Sequence, residues 1–270
     1  KSAMASVEQT RVFVLHQRPY RETSAIVDFI SEHHGRLSVV CKGLRGQGKA
    51  GMGLRANLQP FAELSLGFAG RSELKSLRSI EALQAAPRMS RDTLYAALYM
   101  NELLLRLGRA NEFCQDIYSH YRNTLQELCG LDALGRQAGT ASDGERSARS
   151  HNVEVALRKF EFALIEIMGF ALNFEYTCDT HEPIVSAQYY SYFAGHGFQR
   201  KQNAAHGEVF SPSQVAEQTQ ALVASGEILA LLATGDFEKP EARKFAKRLT
   251  RAALHPLLGE RPMKTRELYA

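Results

Sequence analysis

Cysteine is scarce in this chain of 270 residues: the four, at 41, 114, 129 and 178, are scattered and none forms a CxxC pair. No apolar run approaches the ~18 residues of a membrane span, and no secretory leader is apparent. Scattered cysteines without an export signal point to a reducing, cytoplasmic setting. Strong net charge is also missing. The balance is only +4, with a pI near 8.9, which excludes a histone-like polycation. A nucleic-acid partner would therefore require positive charge to be concentrated locally. Acidic residues are absent from one long stretch, between Glu32 and Glu63. Apolar residues are not lacking: at 44% they suffice for two small domains or one large one.

The acid-free stretch holds the most suggestive segment. Leu37 to Cys41 reads as a short strand and runs into a loop with Gly43, Gly46, Gly48, Gly51 and Gly53, threaded by Lys42, Arg45, Lys49 and Arg55. Glycine lets backbone approach a ligand closely, and basic side chains attract phosphate. Gly43 to Ala50 nearly matches the phosphate-binding pattern GxxxxGK[ST], which suggests an alternative: a nucleotide-binding enzyme using the Gly43–Lys49 loop. That pattern needs a terminal Ser or Thr for Mg²⁺ and a helix behind it. Here the residue is Ala50, and Gly51-Met52-Gly53 are poor helix formers. The expectation is a mobile basic hairpin. Hydrolysis of ATP, lost on Lys49→Ala, would favour the enzyme instead.

In chain order, residues 1–10 read as a disordered start. Strands are expected from Arg11, broken at Arg18-Pro19-Tyr20, then at Ser24–Ile30, Leu37–Cys41 and Phe61–Phe68. Leu74–Leu83 completes the set, although its spacing of three also fits a helix. Short strands with Gly-rich turns over ~80 residues suggest a small barrel or sandwich. Phe13, Tyr20, Phe29, Phe61 and Phe68 are candidates to stack bases there, with core packing the competing role. Past Pro87 the period becomes helical: Arg88–Gly108, capped by Ser90 or Asp92 and ended by Gly108, then Glu112–Gly130. Asp132–Asn152 is rich in Gly, Ser and Ala and reads as a mobile loop. Val153–Met168 is a third helix, with Glu161 and Glu166 on its solvated face. Asn173–Gly207 is irregular and aromatic, and Ser213–Ala233 and Glu238–Leu254 are further helices.

On a helix at 100° per residue, Arg243, Lys244, Lys247, Arg248 and Arg251 span about 140° of arc. Ala242, Phe245, Ala246, Leu249, Ala252 and Ala253 fill the other side. Like charges at i,i+4 repel, so a cationic face this dense suggests an anion-binding role over an ordinary solvated face. In the irregular insert Cys178, His181, His196 and His206 are possible zinc ligands; Cys178–His181 has a CxxH spacing, but no second pair follows as a structural zinc needs. No nucleophile–base or carboxylate constellation has a recognisable spacing, so no enzyme and no cofactor are expected.

Taken together, particular stretches resemble the RecO recombination mediators. They are Phe13–Ser24, Gly35-Arg36 with Cys41–Arg45, Leu58–Phe61 and Leu74–Ser79 in the first part. Leu94-Tyr95, Tyr99–Leu104, Leu157–Glu161, Lys247–Arg251 and Lys264–Leu268 follow in the second. The resemblance runs from about Arg11 to Leu268. It implies an α+β chain: an N-terminal OB-fold barrel over 11–84, then a helical domain over 85–270 with a small insert at 173–210. It implies a recombination mediator of the RecF pathway, cytoplasmic and nucleoid-associated. Such a protein binds single- and double-stranded DNA, anneals complementary strands and helps load RecA on DNA coated by single-stranded-DNA-binding protein (SSB). The implied partners are DNA, RecR and the acidic C-terminal tail of SSB. Arg18, Arg36, Lys42, Arg45, Lys49, Arg55, Arg71 and Lys75 are the DNA-binding candidates. Arg158, Lys244, Lys247, Arg248 and Arg251, with Leu249 and Leu254 as apolar contacts, are the candidates for the SSB tail. Many members carry a four-cysteine zinc site in the insert; here only Cys178 stands near that place, so a metal is not expected. An RNA-binding OB-fold protein is the other alternative, distinguished by competition between RNA and DNA strands of equal length.

Overall fold

The computed structural model describes residues 7–108, 114–137, 143–201 and 222–267. The chain forms two compact units, Lys1–Leu157 with Arg261–Ala270, and Arg158–Glu260.

In the first unit, strands β1 (Glu8–Tyr20), β2 (Ser24–Ser31), β3 (Gly35–Cys41), β4 (Glu63–Ala69) and β5 (Leu74–Gln84) close into a barrel of order β1-β2-β3-β5-β4. All neighbours are antiparallel except β3 and β5. The chain must therefore leave the sheet between β3 and β4, and helix α1 (Lys49–Asn57) makes that crossing. This is the OB type of barrel. The first strand starts at Glu8, inside the segment expected to be disordered, because Glu8–Phe13 pairs with β4. It also continues through Pro19 to Tyr20. Around Pro19 it pairs with β2 alone among the strands, and proline is tolerated on such an edge. The ambiguous stretch at 74–83 is a strand, because β4 pairs with it from Ser76 to Gln84.

Val12, Val14, Val27, Phe29, Leu37, Val39, Leu64, Leu66 and Phe68 alternate inward and fill the barrel with Leu44 and Leu58. Burial there pushes the Cys41 thiol up to about 12, so it is an inert core group. Strand β2 is buried along its whole length. Helix α3 (Cys114–Gln137) lies against β2 and β3 and helix α2 (Arg91–Leu107) against β1, and Phe13 of β1 packs against the α3 rings of Tyr118 and Tyr121 at 5.3 and 5.2 Å. A bulge between Val14 and His16 interrupts the β1–β2 register. The carbonyl of Leu15 there accepts a hydrogen bond from Asn101 Nδ2 at 2.9 Å, and Tyr121 donates to Asn101 Oδ1 at 2.7 Å. Both buried groups are thereby satisfied.

The stretch expected to be a mobile loop is helical wherever it is described. Asp132–Gln137 continue α3, and Asp143–Asn152 open α4 (Asp143–Ile167); residues 138–142 lie outside the described residues. Asp132 is buried, and one carboxylate oxygen accepts from the Ser90 backbone N–H at 2.7 Å and the Thr93 hydroxyl at 2.6 Å. A carboxylate from α3 thus caps the start of α2, the job that sequence assigned to Ser90 or Asp92. The first turns of α4 are exposed and lack apolar anchors. They extend a helix already fixed from Val153 onward, and extension is far easier than nucleation. Helix α7 (Lys264–Glu267) returns to α2: the Glu102 carboxylate accepts from the Lys264 and Thr265 N–H groups, both at 2.8 Å.

The second unit contains the end of α4, a sheet of order β7-β6-β8, and helices α5 (Gly226–Ala233) and α6 (Pro240–Leu258). The strands are β6 (Tyr189–Phe193), β7 (Gly197–Arg200) and β8 (Leu222–Ser225), so the insert expected to be irregular carries regular pairing. Residues 202–221, which include His206, lie outside the described residues; of the helix expected over Ser213–Ala233, Gly226–Ala233 is helical, but Leu222–Ser225 is strand β8 because it pairs with β6. Phe198 is the hub of the insert, with Tyr192 at 5.3 Å, Phe174 at 5.6 Å, and its carbonyl on the Cys178 N–H at 2.8 Å. Cys178, His181 and His196 share the wall of a cavity of about 380 Å³. Among the described residues, no cluster of His, Cys, Asp or Glu is disposed to hold a metal ion. Among the described residues, too, no helix is long and apolar enough to cross a membrane.

Candidate nucleic-acid interface

The loop after β3 is a built structure, in place of the mobile hairpin expected from its glycines. Leu44 is buried in the barrel core. The Gly46 N–H donates to Gly43 O at 2.9 Å, and the Arg45 N–H donates to Thr23 O in the β1–β2 turn, also at 2.9 Å. Arg55, in the last turn of α1, donates through Nη1 to the carbonyls of Leu44 and Gly46, both at 2.7 Å. A helix does follow the loop, contrary to expectation, with Gly48 as its N-cap. Its poor formers are tolerated because Leu54 and Leu58 pack on the barrel core. The helix does not restore the nucleotide site: the sequence has alanine at position 50 where a Ser or Thr hydroxyl would ligate the metal, and the Arg45 and Gly46 N–H groups are spent within the fold.

Gly51 explains why this segment needs glycine. A Cβ there would stand 2.6 Å from both Gly43 O and Gly46 O, whereas at Gly53 nothing lies within 4 Å. Gly51→Ala should therefore destabilise the chain by about 1–3 kcal/mol. Gly53→Ala should stabilise it by about 0.5–1 kcal/mol, the helix penalty of glycine. Thermal unfolding of the two variants checks this, and a Gly51→Ala protein as stable as the parent would show that the loop is not clamped.

The eight cations named from sequence fall into two groups. Arg36, Arg55 and Lys75 are half-buried and serve the fold. Arg36 donates to Leu105 O at 2.9 Å, Arg55 clamps the loop, and Lys75 donates to Gly70 O at 2.9 Å. Their placing as DNA contacts gives way to these backbone bonds. Arg18, Lys42, Arg45, Lys49 and Arg71 are exposed. Arg18 stands 3.9 Å from Asp28 Oδ2; that buried carboxylate also accepts from Ser38 Oγ at 2.5 Å and lies 3.9 Å from His16 Nδ1. Register decides which exposed cations gather. Arg18 pairs with Ile26 and Ile26 with Val40, so Arg18 lies beside the end of β3 from which Lys42 and Arg45 continue. Lys49 opens α1 just beyond. Arg71 belongs elsewhere, because Leu74 pairs in parallel with Ser38 and the turn before it lies toward Gly35. Sequence reasoning missed Arg21, in the β1–β2 turn, whose carbonyl accepts from Arg45 Nη1 at 3.4 Å. The signal was present in the basic–aromatic pair Tyr20-Arg21 at the break before Ser24. Of the aromatic candidates, Phe13, Phe29, Phe61 and Phe68 are buried, and Tyr20 alone is half-exposed.

In the second unit the cationic helix forms as expected and extends to Leu258. Lys244, Lys247, Arg248 and Arg251 are exposed. Arg243 is half-buried and donates to the carbonyls of Phe237 and Glu238, both at 2.6 Å. Three of the residues assigned to the SSB tail are not surface groups. Leu249 and Leu254 are core residues, and Arg158 is only 5% exposed. Arg158 pairs with Glu161 at 3.0 Å and reaches Thr250 Oγ1 at 3.3 Å, while Thr250 donates to Glu161 Oε2 at 2.6 Å. Glu161 is therefore a buried partner, not a solvated helix residue; Glu166 is exposed as expected. Spacing held the clue, since Glu161 falls four residues after Leu157 and three before Leu164. A groove of about 430 Å³ in this unit is lined by Phe162, Phe174, Phe237 and Leu232, with Lys159 and Glu166 among its polar residues.

An OB-type barrel with clustered cations at one end defines an OB-fold protein with a candidate surface for a polyanion. Comparison with known sequences is more specific. The family described as Recombination protein O N terminal matches residues 4–86, and that described as Recombination protein O C terminal matches residues 147–267. A protein of Shigella boydii serotype 18 named DNA repair protein RecO is 36% identical over 259 residues, covering 96% of this chain and 92% of that protein. The protein of the same name from Escherichia coli K12 is 35% identical over the same length and shares. The chain belongs to the RecO family, whose members are named for recombination and DNA repair.

Proposed function

We propose that this protein is a recombination mediator of the RecF pathway, acting without catalytic chemistry of its own in the cytoplasm. It binds single- and double-stranded DNA, anneals complementary strands, and with RecR helps RecA displace SSB. The carrying observation is the gathering of Arg18, Arg21, Lys42, Arg45 and Lys49 at one end of the barrel, in a chain whose net charge is only +4. Two strands repel each other, and a basic surface that meets both lowers that barrier. The second cationic surface, Lys244, Lys247, Arg248 and Arg251 on α6, suits the acidic tail of SSB through charge-assisted hydrogen bonds. The Phe162–Phe174–Phe237 groove offers an apolar seat in the same unit. Because Arg158, Leu249 and Leu254 are buried, the tail assignment rests on the exposed cations alone.

The test is annealing of complementary strands coated with SSB, followed by fluorescence, with and without the protein. The protein should accelerate annealing, and Lys247→Glu with Arg251→Glu should abolish most of the gain on coated strands while sparing bare ones. The same pair of changes should weaken binding of an acidic SSB tail peptide at least about tenfold, since each charge-assisted bond contributes roughly 1.5–3 kcal/mol. Unchanged peptide affinity would remove α6 from the tail site. No acceleration on bare strands would remove the annealing function.

A further inference from the structure

Resting on the reading of the barrel as a DNA-binding surface, we propose that Tyr20 and Arg21 form a subsite for one unpaired nucleobase and its phosphate, which makes this end of the barrel selective for single strands. Tyr20 ends β1 and is half-exposed, in contrast to the buried Phe13, Phe29, Phe61 and Phe68. Arg21 follows it with φ of 54°, a left-handed turn conformation that a non-glycine residue seldom adopts. The turn places its guanidinium over the Tyr20 ring, 5.2 Å from the centroid. The ring and cation are also tied to the basic loop. Arg45 binds the turn through its backbone N–H on Thr23 O at 2.9 Å and through Nη1 on Arg21 O at 3.4 Å. Since Arg55 holds that loop by two carbonyls, Lys42 and Arg45 stand at a fixed place beside Tyr20.

The chemistry selects the ligand. A ring flanked by exposed cations suits a group with a π face and an adjoining negative charge, and an unpaired base with its phosphate is such a group. An exposed guanidinium–ring contact is weaker than a base stacked on the same ring. An arriving base therefore displaces Arg21 from the face of Tyr20, and the freed guanidinium turns to the phosphate. A base in a duplex is already stacked on both faces and offers the ring nothing. Lys42, Arg45 and Lys49 contact phosphate on either form of DNA, whereas Tyr20 acts on the single strand alone.

The experiment compares the full chain with Tyr20→Ala, Tyr20→Leu and Tyr20→Phe by fluorescence anisotropy. The probes are a labelled mixed-sequence strand, its duplex, and the same strand carrying abasic sites. Tyr20→Ala should bind the single strand roughly tenfold more weakly, the loss expected of one stacked base, and the duplex within about twofold. Tyr20→Phe, which keeps the π face, should match the parent. Tyr20→Leu keeps apolar bulk without it and should behave as alanine does; it carries the test if the alanine variant fails to fold. On the abasic strand the parent and Tyr20→Ala should bind alike. Equal losses on strand and duplex, or no loss on either, would overturn the subsite. A parent chain that binds neither probe would overturn the DNA reading of the barrel itself.

Discussion

Replacing Glu161 by alanine should cost about 3–5 kcal/mol of stability, because it leaves a buried guanidinium without its counter-charge. Glu161 and Arg158 are 1% and 5% exposed, they approach to 3.0 Å, and Thr250 closes the triangle with a 2.6 Å bond to Glu161. In alanine's place the Arg158 charge faces a cavity lined by core side chains, and the Thr250 hydroxyl loses its acceptor. Urea unfolding is the measurement, and an unchanged midpoint would show that the pair does not hold the helices α4 and α6 together. The control is Arg158→Met with Glu161→Leu. Exchanging a whole buried pair for apolar residues of similar volume is often neutral or stabilising, so this double variant should recover most of the loss. It should also bind an acidic SSB tail peptide as the parent does, because Arg158 does not reach the surface.

Raising salt from about 50 to about 200 mM should weaken binding to a single strand roughly a hundredfold. Each neutralised phosphate adds about −0.7 to the logarithmic slope on single strands. Arg18, Arg21, Lys42, Arg45 and Lys49 together give about −3.5 on that basis. On duplex, where Arg21 stays over the Tyr20 ring, the remaining four contacts at about −0.9 each give a similar slope of about −3.6. Changing Lys42, Arg45 and Lys49 to glutamine should lower the single-strand slope by about two. Changing Arg36, Arg55 or Lys75 acts differently. These side chains are spent on backbone carbonyls, so their loss should lower stability before it alters the slope. Affinity indifferent to salt would exclude charge neutralisation as the means of binding.

Much of the barrel was legible because a strand with one face on a core alternates, as β3 does in burial and β4 does in sequence with Leu64, Leu66 and Phe68 turned to the core. The cationic helix was equally legible, since a period of 3.6 separates Phe245, Ala246 and Leu249 from Lys244, Lys247 and Arg248 without help from any neighbour. The failures share a cause. Asp132–Asn152 lacks apolar anchors and reads as a loop, yet Asp132 is fixed by Ser90 and Thr93, some forty positions away in sequence. The glycines at 51 and 53 argued against a helix; one of them is required by the carbonyls of Gly43 and Gly46, and the other is merely tolerated. Arg55 and Lys49 look alike in sequence, but only contacts made after folding turn one inward and leave the other in solvent.

The sequence by itself determined the periodic elements, the two places where positive charge is dense, and the stretches that resemble RecO proteins. Those properties are local: alternation, helical spacing and charge density follow from residue order and short-range physics. Only the tertiary structure decided which cations meet, because Arg18, Arg21, Lys42 and Arg45 converge through strand register and Arg71 is carried away by the parallel pairing of β5. It also decided which charges are withdrawn, placing Arg158 and Glu161 in a core where a lone ion would be costly and a hydrogen-bonded pair is retained.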